Sequence, residues 1–190
     1  MKKLLISLSL LAFTSIQSHA SLLLEPYLNY NFGSGDQGNT EYTTSGPSFG
    51  GKIGYQNLGF MLGLDASMGS TELESKSLSG TSTYDMDNTR IGVFAGYDFP
   101  VLLRAWVGYF FKNSLEYSKA YSGISSGSMY NGSAIELGVG FTPLPLLSVN
   151  VGYRMNTWDE FESASGTTTA LSQNVEINEI FLGVSLPLTF

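Results

Sequence analysis

From Leu22 onward, apolar and non-apolar residues alternate at every second position, in runs separated by Gly, Ser, Thr, Asn and Asp. Period two marks strands with one apolar face, because successive side chains leave a pleated backbone on opposite sides. Eight such runs are predicted. The first, Leu22 to Phe32, sets Leu22, Leu24, Leu28, Tyr30 and Phe32 against Glu25, Tyr27, Asn29 and Asn31. The second covers Ser48 to Tyr55, and the third runs from Leu58 to Met68, with Leu58, Phe60, Leu62 and Leu64 opposite Gly59, Met61, Gly63 and Asp65. The others are Thr89 to Phe99, Leu103 to Phe111, Ser133 to Phe141, Leu147 to Met155, and Asn178 to the end of the chain.

The connections alternate as strictly as the residues. Links near Gln56-Asn57, Pro100 and Pro143-Leu144-Pro145 are short, whereas 33–47, 69–88, 113–132 and 156–177 are long and polar. This predicts an up-and-down antiparallel sheet with tight turns at one end and long loops at the other. The segments make one domain.

Composition supports a β-protein. Of 190 residues, 22 are Gly, and Tyr and Phe contribute 11 and 12, while charged residues make up 13%, about half the usual share. There is no cysteine, which removes disulfides and thiolate metal sites. The first twenty residues read as an address. Met1-Lys2-Lys3 is basic, Leu4 to Ile16 is apolar, and Gln17-Ser18-His19-Ala20 ends in small residues suited to cleavage after Ala20. Residues 1–20 are thus expected to be a secretory signal and 21–190 the folded domain. Removing the leader takes away Lys2, Lys3 and the only His, leaving 16 acids against seven bases. So acidic a chain is a poor partner for nucleic acid.

Alternation alone does not separate a membrane barrel from a soluble one; the chemistry of the two faces does. One face is nearly pure Leu, Ile, Val, Ala, Phe and Tyr, while the other mixes Gly, Ser and Asn with Phe94, Trp106, Phe110, Phe181 and single charges. An eight-stranded barrel has an interior just wide enough for side chains to fill. The small-and-ring face fits that interior, which leaves the apolar face for lipid, where only a closed sheet satisfies its backbone. Outward aromatics cluster near strand ends, as interfacial girdles do: Tyr30, Phe32, Phe49, Tyr109, Phe111 and Tyr153 at one end, and Tyr55, Tyr97, Phe99, Phe141 and Phe190 at the other. The expected fold is all-β, an eight-stranded antiparallel up-and-down transmembrane β-barrel.

The leader, the eight runs, the one-sided long loops and the final strand ending on Phe190 resemble the small bacterial outer-membrane barrels of the OmpA/OmpX type. The resemblance implies an outer-membrane location, with short turns in the periplasm and long loops outside the cell. It also implies that Leu182, Val184, Leu186, Leu188 and Phe190 form a C-terminal signal read by the barrel-assembly machinery. Pro187 interrupts that signal on the inward face. The partners implied are outer-membrane lipid and lipopolysaccharide, with the barrel a monomer.

Each long-loop hairpin carries one inward acid and one inward base: Glu25 with Lys52, Asp65 with Arg90, Arg104 with Glu136, and Arg154 with Glu179. Counted from the short turns, Glu25, Lys52, Arg104 and Glu136 form a lower layer and the other four an upper one. Charges out of water require partners, so a hydrogen-bonded ionic plug is expected; the alternative is a polar path for small solutes. Barrels resembling lipid A deacylases, palmitoyl transferases or omptins use His, which residues 21–190 lack. Asp85-Met86-Asp87 and Asp159-Glu160-Phe161-Glu162 offer paired carboxylates, but on loops without a scaffold to perturb them, and their spacing matches no calcium loop. No catalytic residue, metal site or cofactor is expected. The function read from the sequence is a non-enzymatic structural or surface-interaction barrel, with a narrow porin-like or OmpW-like channel as the alternative.

Overall fold

The computed structural model describes residues 21–37, 40–78, 80–144 and 146–190; the expected signal at 1–20 and Pro145 lie outside them. The strands are β1 (Ser21–Gln37), β2 (Thr40–Asn57), β3 (Phe60–Ser77), β4 (Gly80–Asp98), β5 (Leu103–Tyr117), β6 (Met129–Leu144), β7 (Leu147–Glu162), β8 (Thr168–Ser185) and the two-residue β9 (Leu188–Thr189). Neighbours in sequence pair antiparallel, and β8 returns to β1 from Tyr27↔Ser185 to Ser34↔Asn178. The sheet is therefore a closed ring of eight strands.

Closure sorts the two faces as the alternation predicts. Leu62 and Val139 point outward, 65% and 51% exposed, among a belt of Leu, Ile, Val, Phe and Tyr. Phe60, Tyr97 and Phe99 make edge-on contacts at the short-turn end, with centroids 4.8 and 4.9 Å apart, and Tyr30 meets Phe32 near the other. Glycine makes the narrow interior packable. A methyl group at Gly138 would occupy the Trp106 indole, and one at Gly152 the Phe181 ring.

Three expectations are corrected. Leu58 and Gly59 are not in β3 but form the turn before it, with φ of 51° and 84°. A two-residue hairpin with both central residues left-handed matches the twist of its strands, and the even spacing of Leu58 with Phe60 concealed it. Three of the four long links are mostly strand, not loop, while 113–132 keeps a loop at 118–128 between β5 and β6. β1 and β2 pair as far as Gln37↔Thr40, and β3 and β4 as far as Ser77↔Gly80, because Ser and Thr suit a solvated ladder as well as a loop. The last strand is broken: β8 stops at Ser185, and Leu186 and Phe190 bond separately to Pro26 and Leu22 on β1, each at 3.0 Å. Pro187, which has no N–H, sits in that break.

A bulge in β5 sets the parity of the upper interior. Ile91 pairs with Lys112 but Gly92 with Phe110, leaving Phe111 extra. Below it Arg104, Trp106 and Phe110 point inward; above it Asn113, Leu115 and Tyr117 do.

Candidate functional site: the filled lumen

Glu25, Lys52, Asp65, Arg90, Arg104, Glu136, Arg154 and Glu179 are all buried inside the ring. Arg154 stands at their centre. Its Nε and Nη2 donate to Glu136 Oε2 at 3.0 and 2.7 Å, and its Nη1 donates to Glu179 Oε2 at 2.9 Å. Arg90 reaches Glu179 from β4 on the opposite wall, donating from Nη2 to Oε2 at 3.0 Å. Its remaining donors go to Asn88 and Asn113, each at 3.2 Å. Trp106 Nε1 donates to Glu136 Oε1 at 2.8 Å, so both oxygens of that carboxylate are held.

Two smaller groups flank this core. Lys52 Nζ lies 3.6 Å from Asp65, which also accepts from Tyr27 Oη at 2.6 Å. The ammonium sits 4.5 Å from the Trp106 ring centroid and 4.7 Å from that of Tyr27, where ring faces attract a cation. Arg104 Nη2 lies 3.0 Å from Glu25 Oε2 as an ion pair without hydrogen-bond alignment, and Ser185 donates to the other Glu25 oxygen at 2.7 Å. Arg104 Nε and Nη1 have no hydrogen-bond partner among the described residues.

Of the four acid–base pairs expected within hairpins, the structure brings together Arg154 and Glu179. The others re-partner: Glu25–Arg104 stays within the lower layer expected and Arg90–Glu179 within the upper, whereas Lys52–Asp65 and Glu136–Arg154 cross between them. The reason is reach. In an eight-stranded ring β4 faces β8 and β5 faces β1, so an arginine spans the lumen to the opposite wall. Register also sets Asp65 directly beside Lys52 but opposite Gly92 rather than Arg90. The assembly-signal residues Leu182, Val184, Leu186 and Phe190 face outward on the closing seam, with Leu188 half-buried.

The lumen is layered above and below these charges. Leu23, Met61 and Phe94 pack together toward the short turns. Toward the long hairpins, Asn88 donates to Thr71 at 2.7 Å and Asn113 to Asn156 at 3.1 Å, forming an amide floor. Above it is a cluster the sequence reading missed: Leu73, Met86, Leu115, Tyr117, Trp158 and Ile177, with Tyr42, Tyr84, Tyr121 and Tyr130 packed against it. Its signal was a sparse period of two persisting through segments read as polar loops.

The acidic motifs lie outside this cup. Asp85 pairs with Lys119 at 2.7 Å, and Asp87 accepts from Ser70 and Ser118. The bond from Lys119 holds the Asp85 carboxyl below its ordinary value. Burial raises the Tyr117 phenol well above the usual value, helped by Tyr130 and Tyr84 beside it, and burial raises Tyr42 likewise.

Solved structures share the fold. Neisserial surface protein A superposes with a TM-score of 0.53 at 19% identity, covering 88% of this chain and 97% of that one. The outer membrane protein OprG of Pseudomonas aeruginosa gives 0.51 at 14% identity, over 90% and 97%. No curated protein matches the sequence. Residues 5–186 do match the family model described as the outer membrane protein beta-barrel domain, and the chain is therefore a member of that family of bacterial outer-membrane barrels.

Proposed function

We propose that this chain is a non-enzymatic outer-membrane barrel with an occluded lumen, acting through the surface its long hairpins present. The observation that carries this reading is the Arg90–Glu179–Arg154–Glu136 chain of buried bonds, braced by Trp106 on Glu136 and by Phe181, whose ring centroid lies 5.0 Å from the Arg154 guanidinium. A conducting path would have to break several charge-assisted bonds at once. A filled lumen also gives the wall the rigidity to hold its hairpins out from the membrane. Purified protein in planar lipid bilayers should give no steady ohmic conductance; large, stable, linear channels would overturn the occluded reading in favour of the porin-like one.

The hairpins are placed on the cell exterior, with the turns at Leu58 and Leu102 in the periplasm, and Leu182 to Phe190 serving the assembly machinery. The absence of His from residues 21–190 supports a non-enzymatic role. Since the chain has no Cys, Ser165→Cys should label with an impermeant maleimide on intact cells, and Leu102→Cys should label only after the outer membrane is opened. The reverse pattern would invert the topology.

A further inference from the structure

The cup above the amide floor contains more than packed side chains. It encloses a cavity of about 280 Å³ among Leu73, Leu115, Tyr117, Tyr130, Trp158 and Ile177. Below, Asn88, Asn113 and Asn156 are tied into the network that holds Arg90, so the cavity does not continue into the ionic lumen. Above, residues 118–128 fold inward. Tyr121 and Ile124 exchange backbone bonds at 2.9 and 3.0 Å and pack on the cluster, and Tyr121 Oη accepts from the Asp85 N–H at 2.6 Å.

Trp158 supplies a second, independent observation. It is only 2% exposed, lines the cavity, and its indole Nε1–H has no hydrogen-bond partner among the described residues. A buried donor without an acceptor is unfavourable and uncommon. The other tryptophan, Trp106, has its N–H satisfied by Glu136. The walls mix apolar side chains with Ser75 and the phenols of Tyr42, Tyr84, Tyr117 and Tyr130, and Trp158 Nε1–H is the buried lining donor left without an acceptor. Apolar and aromatic walls with a few placed polar groups are how small-molecule sites are built.

The rim decides the charge of the ligand. On the outer face of the strand extensions, exposed Glu72, Glu74, Glu116, Asp159, Glu160 and Glu176 outnumber the exposed Lys76, Lys112 and Lys119, so an anion would approach against a net negative field.

We propose that the cup is a binding site for a small, uncharged, largely apolar or aromatic molecule that carries one hydrogen-bond acceptor for Trp158. The site stands apart from the occluded lumen and goes beyond the role proposed above, since the amide floor separates the two.

The test uses the two indole N–H resonances of the ¹⁵N-labelled protein in lipid nanodiscs, assigned with Trp158→Phe. The probes are 2-acetylnaphthalene, which offers a ketone acceptor; 2-ethylnaphthalene, of similar shape without one; and 2-naphthoate, which is anionic. The ketone should move the Trp158 resonance downfield and saturably while Trp106 stays still. The hydrocarbon should bind about 3–10-fold more weakly, the worth of one neutral hydrogen bond, and Trp158→Phe should bring the ketone down to the hydrocarbon's affinity. The naphthoate should bind more weakly than the ketone and recover in high salt. A Trp158 resonance that does not respond to the ketone overturns the site. So does a shift shared equally by Trp106 and all three probes, which would report uptake into the bilayer. Equal affinity for ketone and hydrocarbon overturns the role given to the indole N–H, and with it the proposal.

Discussion

Arg154 holds Glu136 by two donors on one oxygen, Nε at 3.0 Å and Nη2 at 2.7 Å, while its third nitrogen reaches Glu179. Arg154→Met removes this centre and leaves Glu136 without its bonded cation, with Lys52 acting on it only at longer range, although Glu179 keeps Arg90. Stranding a buried charge costs about 3–5 kcal/mol. The variant should lose stability on that scale, read as a lower urea midpoint for barrels refolded in lipid vesicles. Adding Glu136→Gln should restore much of the loss, because the stranded charge is then gone. Failure of that second change to help would show that Arg154 acts through packing on Phe181 rather than through its charge.

Gly152 stands against Phe181, and a methyl group there would enter the ring. Gly152→Ala should destabilise the barrel by about 1–3 kcal/mol, the usual consequence of overpacking. Phe181→Leu in the same chain relieves the ring contact but not the approach to the Leu137 carbonyl oxygen, at 2.7 Å, and should recover part of that. The comparison is made by equilibrium unfolding of the two single variants and the double.

Strand number, faces and membrane belt were legible because each strand crossing the membrane carries an uninterrupted period of two, with Leu62 and Val139 as plain examples. Which charges would lie inside was legible on the same ground; which partner each would take was not, apart from Arg154 with Glu179. Partnership across a lumen depends on the relative height of strands far apart in sequence, such as β4 and β8, and alternation within one strand is silent on height. The cup was hidden for a related reason. Leu73, Met86, Tyr117 and Trp158 each lie in polar stretches, and the β5 bulge shifts inward parity from Phe110 to Asn113, so a fixed period carried past it assigns the wrong face. Leu58 failed in the opposite direction, its spacing continuing the strand pattern into a turn.

The buried Tyr117 phenol has an alkaline signature. Burial, then Tyr130 and Tyr84 nearby, raise its folded value above the ordinary 10.0. A raised value means the folded state holds the proton more tightly, so this contribution is complete below about pH 10 and is lost as pH climbs toward the folded value. Spectrophotometric titration should show a late-ionising phenol component, and Tyr117→Phe should remove part of it. The variant should also keep its upper hairpins protected from hydrogen exchange to a higher pH. If the variant titrates like the parent, the phenol is not held in the cup.

The Leu58 turn makes the sharpest backbone prediction. Leu58 and Gly59 have φ of 51° and 84° between the paired residues Asn57 and Phe60. Gly59 adopts this conformation without penalty, but a leucine there costs about 1–2 kcal/mol because its Cβ crowds the following carbonyl. Asn tolerates the left-handed region far better, and Asn-Gly is the favoured pair for this hairpin. Leu58→Asn should therefore raise the urea midpoint by the equivalent of about 1 kcal/mol despite removing an exposed apolar side chain. Leu58→Val should lower it, since β-branching makes a positive φ worse. Opposite signs for the two variants identify the backbone as the cause. If both lower stability, the contact of the leucine side chain with its surroundings outweighs the strain.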